Sequence, residues 1–206
     1  NSVKDFEGKT YAGWGAPSEE AVIKAVMNEA GADFSKLNIV GSDGSGIAGL
    51  SDEVGKNKVN LGWEFYGWAI IKAMQDGYDL NYMPLADLDS RLDYYTPVII
   101  TNNKMIKKNS DTIKKFMEAT KKGYEYAIDH PNKAAEILHD DALTDTDLKF
   151  LKESQKYLSG QYAKDADSWG VMKDSVWDNY TDFMYETGLI DHKIDAKDQY
   201  TNEFVK

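Results

Sequence analysis

The sequence predicts an α/β protein, and three observations carry that prediction. Short apolar stretches alternate with helix-patterned ones over residues 9–95. From Asn102 onward the pattern is helical throughout. The helical half also carries more apolar stripes than the sheet of the first half can obviously use, which implies a further partner surface.

Asp5-Phe-Glu-Gly8 reads as a turn and Lys9–Ala12 as a first short strand, leading to a glycine-flanked Trp14. Ala16-Pro-Ser-Glu-Glu20 starts a helix: Pro17 and Ser18 suit a first turn, and Glu19 and Glu20 complement the positive end of the helix dipole. Ala21, Val22, Ala25 and Val26 carry it to Gly31, a suitable stop. The helix start is predicted to present unpaired N–H groups beside the Trp14 indole, as a binding element or as a plain cap.

Leu37–Gly41 is a second strand, followed by the glycine-rich Ser42–Gly46. That loop lacks the Gly-Lys-Ser/Thr ending of a phosphate loop and the spacing of a dinucleotide fingerprint, so it is read as a flexible connection. Val59–Trp63 is a third strand, which turns into a helix after Gly67 with Ile70, Ile71 and Met74 as its apolar positions, and Asp79–Leu85 is extended. Val98–Ile100 is a continuous β-branched run and is predicted to be a buried strand entered through Pro97, with Tyr94 and Tyr95 on alternate faces before it.

Four helices are predicted beyond. The first runs from Asn109 to the break at His130-Pro131, with Ile113, Phe116, Met117 and Tyr124 on one face and Lys114, Lys115, Lys121 and Lys122 on the other. The second runs from Asn132 to about His139. The third opens at Thr144 and passes through Leu148, Leu151 and Tyr157. The fourth spans Lys173–Tyr185, with Val176, Trp177, Tyr180 and Phe183 as its stripe and Gly188 as its stop.

The chain has 206 residues, 42% of them hydrophobic, enough for one large domain or two small lobes. A net charge of −11 argues against nucleic acid or an anionic membrane as partner. The absence of cysteine excludes disulfides and thiolate chemistry. No run approaches the roughly 18 apolar residues of a membrane span. Asn1 opens no signal-peptide pattern, so any signal or lipid anchor is expected in a segment absent here.

The densest chemistry lies between the third strand and its helix, where Trp63, Glu64, Phe65, Tyr66 and Trp68 follow one another. Strand ends feeding helix starts are where α/β folds gather ligands. Aromatic faces suit a flat ring, and a carboxylate suits that ring's N–H groups. Any single one of these aromatics is as well explained by core packing, but filling a core with so many N–H and O–H groups around one acid is costly.

Nothing in the sequence resembles catalytic machinery. His130, His139 and His192 lie in the helical half, at a helix break or among aspartates, and read as solvated or capping groups. No metallohydrolase, serine-hydrolase or EF-hand pattern occurs, and the adjacent acids Glu19-Glu20 and Asp140-Asp141 point apart on a helix. No cofactor and no metal are called for. Recognition groups without a reacting group favour a binding protein over an enzyme.

Several motifs together resemble a known family. Asp5-Phe-Glu-Gly-Lys9, Gly13-Trp-Gly-Ala-Pro-Ser-Glu-Glu20, Phe65-Tyr-Gly-Trp68, Tyr94-Tyr-Thr-Pro-Val-Ile-Ile-Thr101, Gly123-Tyr-Glu-Tyr-Ala-Ile128, Ala134-Ala-Glu-Ile-Leu138, Trp169-Gly170, Trp177 and Thr201-Asn-Glu-Phe204 are similar to the ThiY branch of the NMT1-like family. Its members are substrate-binding proteins of ABC importers for pyrimidine precursors of thiamine.

The resemblance implies a periplasmic-binding-protein-like fold of type II, in which residues 1–8 are a remnant of the first lobe and hinge, 9–95 the second α/β lobe and 96–206 the returning helical part of the first. The N-terminal part of that first lobe is absent from this sequence. It implies a small heteroaromatic ligand held by Trp14, Ser18, Glu64, Tyr66, Trp68 and Tyr95, an ABC permease as partner, and an extracellular or periplasmic location. Sulfonate and nitrate binders share the fold, but an anion would want basic residues and residues 9–95 hold one arginine, Arg91. The NMT1-like pyrimidine synthases share it too.

Overall fold

The structure, a computed structural model, describes residues 2–42, 47 and 59–205. The loop read as a flexible connection, beyond Ser42, lies outside the described residues. The chain divides into two compact units: a sheet unit of Asn1–Tyr94 with Asp178–Ile194, and a helical unit of Tyr95–Trp177 with Asp195–Lys206.

In the sheet unit, β1 (Thr10–Gly13), β2 (Asn38–Gly41) and β3 (Leu61–Gly62) form a parallel sheet in the order β2-β1-β3. Tyr11 pairs with Ile39 on one side and Leu61 on the other. Parallel neighbours need a crossover, and α1 (Pro17–Glu29) lies between β1 and β2 in the chain. Its Val22, Ile23, Val26 and Met27 are spaced to share one face, and they form the unit's core with Val3, Tyr11, Leu37, Leu92 and Phe183.

Beyond β3 the chain enters a π-helical turn, Tyr66–Ile70, and continues as α2 (Ile71–Gln75). The helical turn therefore begins at Tyr66, where the sequence predicts a helix only after Gly67, and the Phe65 carbonyl accepts from the Trp68 and the Ile70 N–H, at 3.1 and 3.4 Å. Asp79–Leu85 forms no strand: its extended stretch ends at Pro84, and α3 (Leu85–Leu88) follows.

Arg91 follows α3 in a tight 3₁₀ turn, Ser90–Leu92, capped by Asp89. It bonds Asp89 through Nε and Nη2 and Glu186 through Nη1 at 2.6 Å, and it lies over the Phe183 ring. Phe183 and Glu186 belong to α8 (Asp174–Glu186), so the C-terminal part of α8 is held in the sheet unit by an ion pair, Arg91 Nη1 to Glu186, as well as by the burial of Phe183.

The helical unit holds α4 (Asn103–Lys108), α5 (Ser110–Asp129), α6 (Pro131–Asp141), α7 (Leu148–Ser159), the first residues of α8 and α9 (Ala196–Gln199). The Pro131 break between α5 and α6 falls where the sequence places it. Its buried residues include Ala135 of α6 and Phe150 and Leu151 of α7, with Lys152 reaching back to Glu136 at 2.7 Å. Tyr124 stacks on Trp169 and meets the edge of Tyr162, and Trp177 stacks on Tyr200.

One expected element is corrected. Val98–Ile100 is neither paired nor buried: the three side chains stand in solvent, Ile100 at 85% exposure. β-branched residues favour a strand only where a neighbouring strand and a covering layer exist, and neither is present for them among the described residues.

Candidate functional site

The carboxyl ends of parallel strands share one edge of a sheet, and this edge is where the chain's recognition groups gather. β1 ends in Gly13 and passes into Trp14; β3 ends in Gly62 and passes into Trp63 and Glu64. The two indoles meet with centroids 5.2 Å apart at a tilt of 55°. Trp14 remains 60% exposed, so the pair offers an accessible aromatic surface.

Glu64 is half-buried, and burial alone pushes its carboxyl above the usual carboxylate range, with no ion pair to offset it among the described residues. Its charge is felt at Tyr11. The Tyr11 phenol is pushed far above its ordinary range by burial first, then by its hydrogen bond to Glu19 and by the charges of Glu19 and Glu64.

The other predicted site residues are placed as follows. Tyr66 opens the π-helical turn, packs beside Ile70 and Ala73, and contacts the Tyr82 ring at 4.8 Å. Trp68, in the same turn, is half-exposed. Ser18 is exposed in the first turn of α1. Tyr95 belongs to the helical unit, where its hydroxyl accepts from the Lys173 N–H at 2.9 Å beside Trp177. The sheet unit thus holds Trp14, Ser18, Glu64, Tyr66 and Trp68, with Trp14 and Glu64 at the same strand edge.

The prediction for the start of α1 needs correction. Glu19 is not a surface residue complementing the dipole, and its carboxylate takes up the two loop N–H groups that precede the helix start. It is 3% exposed and folds back under the loop, accepting from the Trp14 N–H at 3.3 Å, the Gly15 N–H at 3.0 Å and the Tyr11 hydroxyl. The signal was present in the sequence: a glutamate at the third position of a helix reaches back to the N–H groups before it, as in a capping box. A cavity of about 180 Å³ lies against this loop, lined by Tyr11, Gly15, Pro17, Glu19, Ile23 and Ile39. A larger open depression of about 410 Å³, lined by Leu148, Lys149 and Lys152, lies on the helical unit and includes none of the predicted residues.

The chemistry available at the strand edge is that of recognition. It offers ring faces and carboxylates, and the chain's one arginine is held by Asp89 and Glu186. The described residues hold no cluster of three side chains able to ligate a metal ion. No helix among them is long and apolar enough to cross a membrane.

Comparison with known proteins agrees in kind. A family model described as NMT1/THI5 like matches residues 1–134. The chain is 25% identical over 184 residues to a formylaminopyrimidine-binding protein of Halalkalibacterium halodurans, a match covering 82% of this chain and 53% of that protein. The chain therefore spans about half the length of the curated relative it matches.

Proposed function

Because the chain belongs to the NMT1/THI5-like family, we propose that it serves as the substrate-binding component of an ABC importer and captures a thiamine pyrimidine precursor of the formylaminopyrimidine or hydroxymethylpyrimidine type. On this reading it is a binding protein rather than an enzyme, working outside the cytoplasmic membrane and delivering its ligand to a permease. Residues 1–8 then belong to the first lobe and hinge of a periplasmic-binding-protein-like fold. Residues 9–95 form its second lobe and 96–206 the returning part of its first, except that Asp178–Ile194 packs with the sheet unit.

The observation that carries the reading is Glu64, a carboxylate desolvated with no cation beside it among the described residues, at the edge where Trp14 and Trp63 meet. A pyrimidine bearing an amino group offers what such a site lacks: N–H donors for the carboxylate and a flat face for an indole. Trp68 and Tyr66 supply further ring edges and a hydroxyl, and Ser18 a polar contact at the start of α1. A nitrate or sulfonate would meet Glu64 as a like charge, and Arg91, engaged with Asp89 and Glu186, leaves no free guanidinium to receive it.

Each stacked aromatic pair adds about 0.5–1.5 kcal/mol beyond its buried area, whereas micromolar affinity needs about 8 kcal/mol. Most of the binding energy must come from enclosing the ring. Calorimetric titration of the protein with formylaminopyrimidine tests the reading: binding at micromolar concentrations or below is expected, and Glu64→Gln and Trp14→Ala each weaken it about tenfold. Failure of every heteroaromatic tried to bind would end it.

A further inference from the structure

The Gly13-Trp14-Gly15 loop is built around a carboxylate. Glu19 Oε1 accepts from the Tyr11 hydroxyl and the Trp14 N–H, and Oε2 from the Gly15 N–H. Taking a carboxylate out of water is costly unless charge or hydrogen bonds replace the water. No cation pairs with Glu19 among the described residues, so these three donors do that work, two of them consecutive peptide groups on either side of the Trp14 α-carbon.

The fit leaves no slack. A Cβ built on Gly13 would stand 2.5 Å from Glu19 Oε1, and Gly15 holds a φ of +80°, a conformation that glycine adopts without strain. A glycine on each side of the tryptophan is therefore required, the first by the carboxylate beneath it and the second by the turn. The Trp14 backbone is fixed while its indole stays exposed, turned against Trp63.

We propose that Glu19 is a positioning residue for ligand recognition: buried beneath the Gly13-Trp14-Gly15 loop, it presents the Trp14 indole at the strand edge. This rests on the reading of Trp14 as a ligand-contacting ring. Held in one orientation before binding, the indole would lose little freedom when a ring stacks on it.

The test measures amide hydrogen exchange at Trp14, Gly15 and the β1–β2 ladder, and calorimetric affinity for formylaminopyrimidine, in wild type and Glu19→Gln. The variant keeps the shape of the side chain but replaces one acceptor oxygen with a donor. Exchange at Trp14 and Gly15 is expected to accelerate about tenfold or more while ladder amides keep their protection, and affinity to fall about tenfold. Should Glu19→Gln fail to fold, Glu19→Asp, which keeps the charge and withdraws the oxygens by one methylene, is expected to give the same pattern. Protection lost evenly across the loop and the ladder would mean that Glu19 only supports the fold, and overturns the proposal. Unchanged affinity in the variant overturns the positioning role alone, whereas a wild-type protein that binds no heteroaromatic overturns the ligand reading and this assignment with it.

Discussion

Glu64 is held at a cost, and the sign of that cost is testable. Its carboxyl sits above the ordinary value of 4.5 because burial disfavours the charge. Below that value it is protonated in folded and unfolded chains alike and costs nothing. As pH rises through the raised folded value, the folded state must either keep a proton that the unfolded chain has released or bury a charge, so stability is lost. Glu64→Gln removes the titration. It is expected to match wild type near pH 4 and to exceed it at pH 7, with the gap opening between those values, as read from urea midpoints at the two pH values. The same substitution is expected to weaken ligand binding, so that stability and recognition pull apart at one residue. The sequence singles out Glu64 because its aromatic neighbours adjoin it in the chain. Glu19 was misread because its burial depends on Tyr11 and on a turn eight residues wide, and the dipole reading of an acid in a first helical turn is sound wherever that acid faces water.

Among the elements, α8 shows how far local patterning reaches. Its stripe of Val176, Trp177, Tyr180 and Phe183 predicts the helix, and the structure starts it at Asp174, one residue after the expected Lys173. The stripe does not say which part of the chain it covers. Phe183 has no exposed surface, joins the core with Val22, Met27 and Leu92, and lies under the Arg91 guanidinium. Thus a segment more than eighty residues downstream of Arg91 closes the sheet unit. Phe183→Ala would remove a ring from a fully packed site and leave a cavity, at a cost of about 3–5 kcal/mol. The expected result is a large fall in the urea midpoint, with the circular dichroism of whatever folded protein remains unchanged. The π-helical turn was less legible than the straight helices, because a shift in hydrogen-bond register after Phe65 leaves the apolar spacing of Ile70, Ile71 and Met74 intact.

At the scale of the molecule, both units leave large apolar side chains in solvent, Phe65 and Met74 among them in the sheet unit, and in the helical unit the exposure extends along a whole helix. No residue of the twenty in α5 is buried, and its Phe116 is more than half exposed, as are Ile99 and Ile100 in the unpaired run beside it in the chain. The sequence reading anticipated this as a need for a further partner surface, yet it placed Val98–Ile100 inside a sheet, since β-branched composition reports a strand's suitability for burial and not the presence of its neighbours. If these side chains are in water, removing their apolar surface costs the fold almost nothing. Ile99→Thr with Ile100→Thr is expected to leave the urea unfolding free energy within about 0.5 kcal/mol of wild type and to lower the binding of an apolar dye such as anilinonaphthalene sulfonate. Loss of about 2 kcal/mol or more in the double variant would instead mean that the two isoleucines are covered in solution, because burial is the only source of stabilisation that a solvent-facing isoleucine has to lose.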